Sequence, residues 1–269
     1  MIYDLADKAI KNLNKRNQKA FGKLKLAKFD ELNVIRDVDR LYERSTQECM
    51  REYAEIAFWS FVESYLIASY LMNLRRSKRK SGGNSNESES EPDIEGEEST
   101  DNPSDSPDNP DNPDNPDNPS NRDADGKPLS RSELKRKAEE LAEDSITNDW
   151  ILDMLEEYNP VTLYRFLPEK ERKKQRLTEA VIASQKRNSE IDKALRYWTL
   201  QVDQYCLEAT DKATIEAYKQ ADVHYVRWVT RDDERVCEDC AERDGMVFPI
   251  NRIPDKPHYG CRCQLEPVS

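Results

Sequence analysis

Four of the six cysteines and one of the two histidines fall within twenty-seven positions near the end of this 269-residue chain. They are Cys237 and Cys240 in a C-x2-C knuckle, then His258, Cys261 and Cys263 in an H-x2-C-x-C cluster. Two thiols three residues apart sit on one tight turn and can share an ion, and the later cluster completes a tetrahedral donor set. Zinc suits mixed sulfur and nitrogen donors, so a structural Zn2+ site is the chemistry these residues predict. Five donors exceed the four a closed site takes. The expected ligands are therefore Cys237, Cys240, His258 and one of Cys261 or Cys263, with Cys261 favoured because H-x2-C repeats the knuckle spacing. A pair of disulfides is the competing reading, since Cys237 or Cys240 could bridge to Cys261 or Cys263. No signal peptide is recognisable from Met1 through Asp7, and reducing surroundings favour metal over disulfide.

Between the clusters, Asp244-Gly245 followed by Met246-Val247-Phe248 reads as a hairpin turn, so a β-ribbon is expected to bring the two ligand pairs together. Arg227-Trp228-Val229-Thr230, Asp233 through Cys237, Cys240, Asp244-Gly245 and the closing Pro257-His258-Tyr259-Gly260-Cys261-Arg262-Cys263 carry a resemblance. Together they resemble the C-terminal signature of phage head morphogenesis proteins, the minor head proteins of the Mu F type. The match covers about residues 225–268, with a weaker helical similarity back to Leu177. Lys256 departs from it, standing where the family often has a proline. The resemblance implies a virion component of the phage head, assembled in the bacterial host cytoplasm. Its implied partners are the portal protein and other capsid or scaffold proteins.

The elements that must position this cluster are helical. Charged and hydrophobic residues each make up 36% of the chain, and the formal charge is −12. That charge is local: fifteen of the 54 acidic and one of the 42 basic residues lie between Ser81 and Gly126, leaving 39 acids against 41 bases elsewhere. The same stretch holds four tandem Asp-Asn-Pro triplets from Asp108 to Pro119 and almost no apolar residue, so it is expected to be a disordered, extended acidic linker. The domains expected are an N-terminal helical region at 1–80, the linker at 81–127, a second helical region at 128–224 and a zinc-knuckle β-ribbon module at 225–269. The fold class is mainly α, with a small α+β module at the end.

Within 1–80 a first helix spaces Leu5, Ala9 and Leu13, with Asp4 as its cap and a break at Asn17 to Gly22. A longer apolar stripe from Leu32 to Leu74 contains no Gly or Pro and fits one long helix or two stacked end to end. Ile56 to Met72 is too short and too polar, with Glu63 and three serines, to span a bilayer, so no membrane partner is expected. Beyond the linker, Ser130 with Glu133 forms a capping box, and the helix it opens runs to Asn159-Pro160. Further helices bury Leu177, Val181 and Ile182, then Ile191, Leu195, Trp198, Val202 and Tyr205. Cys49 and Cys206 lie on apolar stripes and read as core, and His224, on a strand-like run, reads as structural.

Phosphate-loop, G-x-S-x-G and H-E-x-x-H motifs are absent, so the chain is not expected to be an enzyme. A zinc-dependent His-Asn-His nuclease would need catalytic histidines beyond its zinc ligands, and only His224 remains. The competing class is a sequence-independent DNA-binding zinc protein, in which the basic runs Arg75–Lys80 and Lys170–Arg176 would face phosphates.

Overall fold

The computed structural model describes residues 2–26, 31–81, 127–157, 165–183, 187–231, 234 and 236–268. The acidic segment 82–126 lies outside the described residues, as do the side chains of Arg75–Lys80.

Helix α1 spans Ile2–Leu26 without interruption, so the break expected at Asn17 to Gly22 does not occur. Gly22 costs a helix interior about 1 kcal/mol. Leu13, Asn17, Phe21 and Leu24 recur on one buried face, and burying that face outweighs the cost. Asp4 lies inside the first turn rather than before it, where it complements the helix dipole. Helix α2, Glu31–Ser81, is one helix of 51 residues rather than two. Its buried stripe runs through Val34, Val38, Tyr42, Cys49, Tyr53, Phe61, Tyr65 and Ala68. Small hydroxyls let it approach its neighbours closely: the buried Ser64 Oγ donates to Thr214 Oγ1 at 3.1 Å.

The Ser130–Glu133 capping box is present and opens α3, Arg131–Ser145. The continuous helix expected beyond it is in fact two. Thr147 starts α4, Asn148–Glu156, by accepting the Trp150 amide, so the chain turns where a second cap competes with helix continuation. Helices α5, Phe166–Ala183, and α6, Arg187–Gln220, follow.

The buried middle of α6 is the axis of the body, and α1, α2 and α5 pack on it. Trp198 meets Tyr42 of α2 edge-on at 5.1 Å, and Tyr205 meets Phe166 of α5 at 5.0 Å. The helices on either side of the acidic segment therefore share one core. Cys49 and Cys206 are both fully buried in it. No helix among the described residues is long and apolar enough to cross a membrane.

After α6 come β1 (Tyr225–Val229), α7 (Glu238–Arg243), β2 (Val247–Pro249) and β3 (Gln264–Val268). They build an antiparallel sheet in the order β2-β1-β3, with Trp228 opposite Leu265 and Arg227 opposite Val247. This differs from the two-stranded ribbon expected around Asp244-Gly245. Those residues connect α7 to β2, with Gly245 at φ +78°, and β2 pairs with the strand containing the His224–Thr230 run. Alternation favours that pairing because Val226 and Trp228 are the inward positions of β1, buried deeply enough to anchor a central strand.

Candidate metal centre

Cys237 is the N-cap of α7, and its sulfur accepts the backbone amide of Cys240 at 3.4 Å. One helical turn thus holds both knuckle thiols on the same side, the geometry C-x2-C predicts. Asp244 closes the short helix and turns it back onto β1, accepting both the amide and the hydroxyl of Thr230 at 2.8 and 3.0 Å. Arg243 stacks over Trp228 and donates to the Asp255 carbonyl at 2.8 Å, which brings the His258 loop back toward α7.

All five predicted donors meet here. Ligand atoms of Cys237, Cys240 and His258 lie within 4.8 Å of one another, and so do those of Cys240, Cys261 and Cys263. Cys240 is common to both groups. Its sulfur stands 3.4 Å from His258 Nε2 and 3.6 Å from Cys261 Sγ. Zinc–ligand bonds of about 2.3 Å to sulfur and 2.0 Å to nitrogen give tetrahedral edges of roughly 3.5–3.8 Å, so the donor types and the two distances from Cys240 are compatible with a metal such as Zn2+. His258 Nδ1 lies 2.9 Å from the Tyr259 carbonyl. A proton donated there leaves the Nε2 lone pair facing Cys240, the tautomer a metal ligand needs.

Three thiols are nearly inaccessible: Cys240, Cys261 and Cys263 are 1%, 2% and 5% exposed. Burial pushes the Cys240 thiol up to about 12. The Cys261 thiol is drawn well down, first by a hydrogen bond from Cys263 and then, against burial, by the nearby charge of Lys256. Cys263, the donor in that bond, is pushed up. One sulfur in the cluster is thus poised to carry negative charge, as thiolate coordination requires. The disulfide alternative is not formed, and all six cysteines are free. His224, read as structural, lies on the strand side, 3.7 Å from Asp222, and joins neither group.

Lys256 does what the sequence did not disclose. Its Nζ donates to the carbonyls of Cys263 at 2.8 Å and Cys261 at 3.4 Å, and pairs with Asp211 of α6 at 2.6 Å. The residue that departs from the resembled pattern therefore ties the Cys-x-Cys turn to the body. Gln204 of α6 assists by accepting the Gly260 amide at 3.0 Å, where Gly260 takes φ +66°. Tyr218 donates to the Leu265 carbonyl at 3.1 Å, and Arg231 pairs with Asp7 of α1 at 3.0 Å. Only the unusual lysine at 256 could have been noticed from the chain. Its partners on α6 carry no spacing signal.

The run Lys170–Arg176 is largely occupied with carboxylates. Lys173 and Arg172 reach Glu169, the former at 3.5 Å, and Lys174 reaches Glu171 and Asp39 at 2.8 and 3.3 Å.

Comparison with curated proteins and comparison with solved structures each gave no match. Comparison with family models gave a match that spans the last helices, the sheet and the cysteine–histidine cluster. Over residues 174–266 the chain matches the family described as Phage Mu protein F like protein.

Proposed function

We propose that this chain is a minor head protein of a phage virion, acting in head morphogenesis at the portal, with a structural zinc site in its C-terminal module. The family match over 174–266 carries the reading. Two donor groups that share Cys240, one with Cys237 and His258 and one with Cys261 and Cys263, support the metal. In this reading Cys237, Cys240, His258 and Cys261 are the ligands, and Cys263 supports Cys261 as its hydrogen-bond donor. The bound ion substitutes for an apolar core that a three-stranded sheet cannot supply, and its role is structural rather than catalytic. It holds α7 against β1 and fixes the outward sheet face, where Tyr225 and Val247 are about half exposed. That face is the proposed contact with the portal or a neighbouring capsid protein.

The test is capture of purified portal rings by the tagged, zinc-loaded chain, alongside immunodetection of the chain in purified heads. Retention of portal, lost in Val247→Arg with zinc content unchanged, is the expected result. A chain absent from heads and unable to hold portal would contradict the proposal.

A further inference from the structure

Helix α1 lies back along α2, as the Phe21–Tyr42 contact and the Arg16–Glu52 ion pair show. Along the seam lies an open groove of about 490 Å3. Arg16, Lys19 and Lys23 line it from α1 at helical spacing, and Arg40, Arg44 and Arg51 from α2. All six are exposed, against Asp37 and Glu48 as the acids among the described lining residues. Arg16 and Arg44 are paired, at 2.6 Å to Glu52 and 3.0 Å to Glu48, and Arg51 stands 3.8 Å from Glu52. Lys19, Lys23 and Arg40 have no carboxylate within 4 Å among the described residues. The floor is Ala20, Leu24 and Leu41, with no aromatic ring among the described residues of the lining.

From this groove we infer that the α1–α2 seam is a binding site for the phosphate backbone of duplex nucleic acid, read without regard to sequence. Two parallel rows of cations on rigid helices match a polyphosphate ligand, and the attraction comes from displaced counterions. A single strand would call for aromatic platforms on which bases stack, and the described lining holds none. The basic run on α5, occupied with its own carboxylates, offers no such opening. The inference rests on the groove alone and is independent of the head-protein reading.

The experiment is fluorescence anisotropy of a labelled random-sequence DNA duplex with the full chain across a salt series. Wild type should bind at low salt, with log affinity falling linearly in log salt. The combined variant Lys19→Gln, Lys23→Gln, Arg40→Gln should bind at least tenfold more weakly. It should also flatten that slope by about three, since each phosphate left without its cation removes roughly 0.9. Lys19→Arg with Lys23→Arg should keep wild-type binding, and Lys135→Gln with Arg136→Gln on α3 should change little, which separates the groove from net charge. Unchanged melting temperatures verify folding of each variant. The inference is overturned if wild type fails to bind duplex at low salt, or if the groove variant keeps both affinity and slope. Binding of poly-glutamate in place of duplex would overturn it too, since the groove would then take an acidic peptide.

Discussion

Around α6 the body buries Trp198, Tyr42, Tyr53, Tyr205 and Phe166 against one another, whereas the C-terminal module gathers Cys240, Cys261 and Cys263 behind a sheet with only Val226, Trp228 and Leu265 well inside. The two regions are solutions to one problem at different sizes. Long helices supply enough apolar surface to close a core. About forty residues in short strands do not, and such modules lean on metals or cross-links. A lone thiol packs as a small apolar group, as Cys49 and Cys206 do in the body; it is the gathering of thiols with an imidazole that makes the burial here intelligible as preparation for an ion.

The sharpest break between the regions is expected at Cys240, which both ligand groups share. Cys240→Ser should abolish metal binding and remove a stabilisation of roughly 10–16 kcal/mol, typical of structural zinc. Helical circular dichroism should persist while amide protection from β1 onward disappears. Retained protection in β1 and β3 would show that the sheet holds itself.

The converse break is Trp198→Ala. Emptying that site should cost about 3–5 kcal/mol, read as a fall in the melting temperature of the helical signal. A zinc content left unchanged at low temperature would mark body and module as separately held, and loss of zinc would show that they fold as one unit.

Lys256→Gln probes the join. Two cysteine carbonyls and the Asp211 carboxylate lose their shared donor, at a cost of about 1–3 kcal/mol. The loss should appear in the module's thermal transition in the presence of zinc, with the body's transition nearly unmoved. An equal shift in both would mean the lysine is not specific to the join.

The smallest effect belongs to the capping box of α3. The Ser130 side chain and then its backbone amide bond the Glu133 carboxylate and hold its pKa below the ordinary value. Because the folded pKa is the lower one, the associated stability is present above the unfolded midpoint and is lost as pH falls through the folded one. Carboxyl-carbon NMR should place the Glu133 midpoint below that of a free glutamate, and Ser130→Ala should raise it. Coincident midpoints would show that the box does not form in solution.

Much of this was legible in the chain, for reasons that differ by element. The stripes of α2 and α6 repeat over many turns, so their period could be read directly, and the spacing of C-x2-C and H-x2-C-x-C marks the donors that the fold gathers. Gly22 misled because a local propensity was weighed without the burial of Phe21 that overrides it. Asp244-Gly245 misled because the turn joins a helix to a strand, and α7 is a single turn and a half held by a cysteine cap. The cationic seam stayed hidden because its two rows come from different helices. Neither row looks like a basic run until α1 folds back on α2.

The central claim is that Cys237, Cys240, His258 and Cys261 hold a metal, and metal content of the purified, reduced chain tests it most directly. One zinc per chain by elemental analysis is expected, falling to none in Cys237→Ser and in Cys240→Ser. Cys261→Ser should lose the metal, and Cys263→Ser should retain it. A zinc-free chain whose sheet stays ordered in chelator would contradict the account.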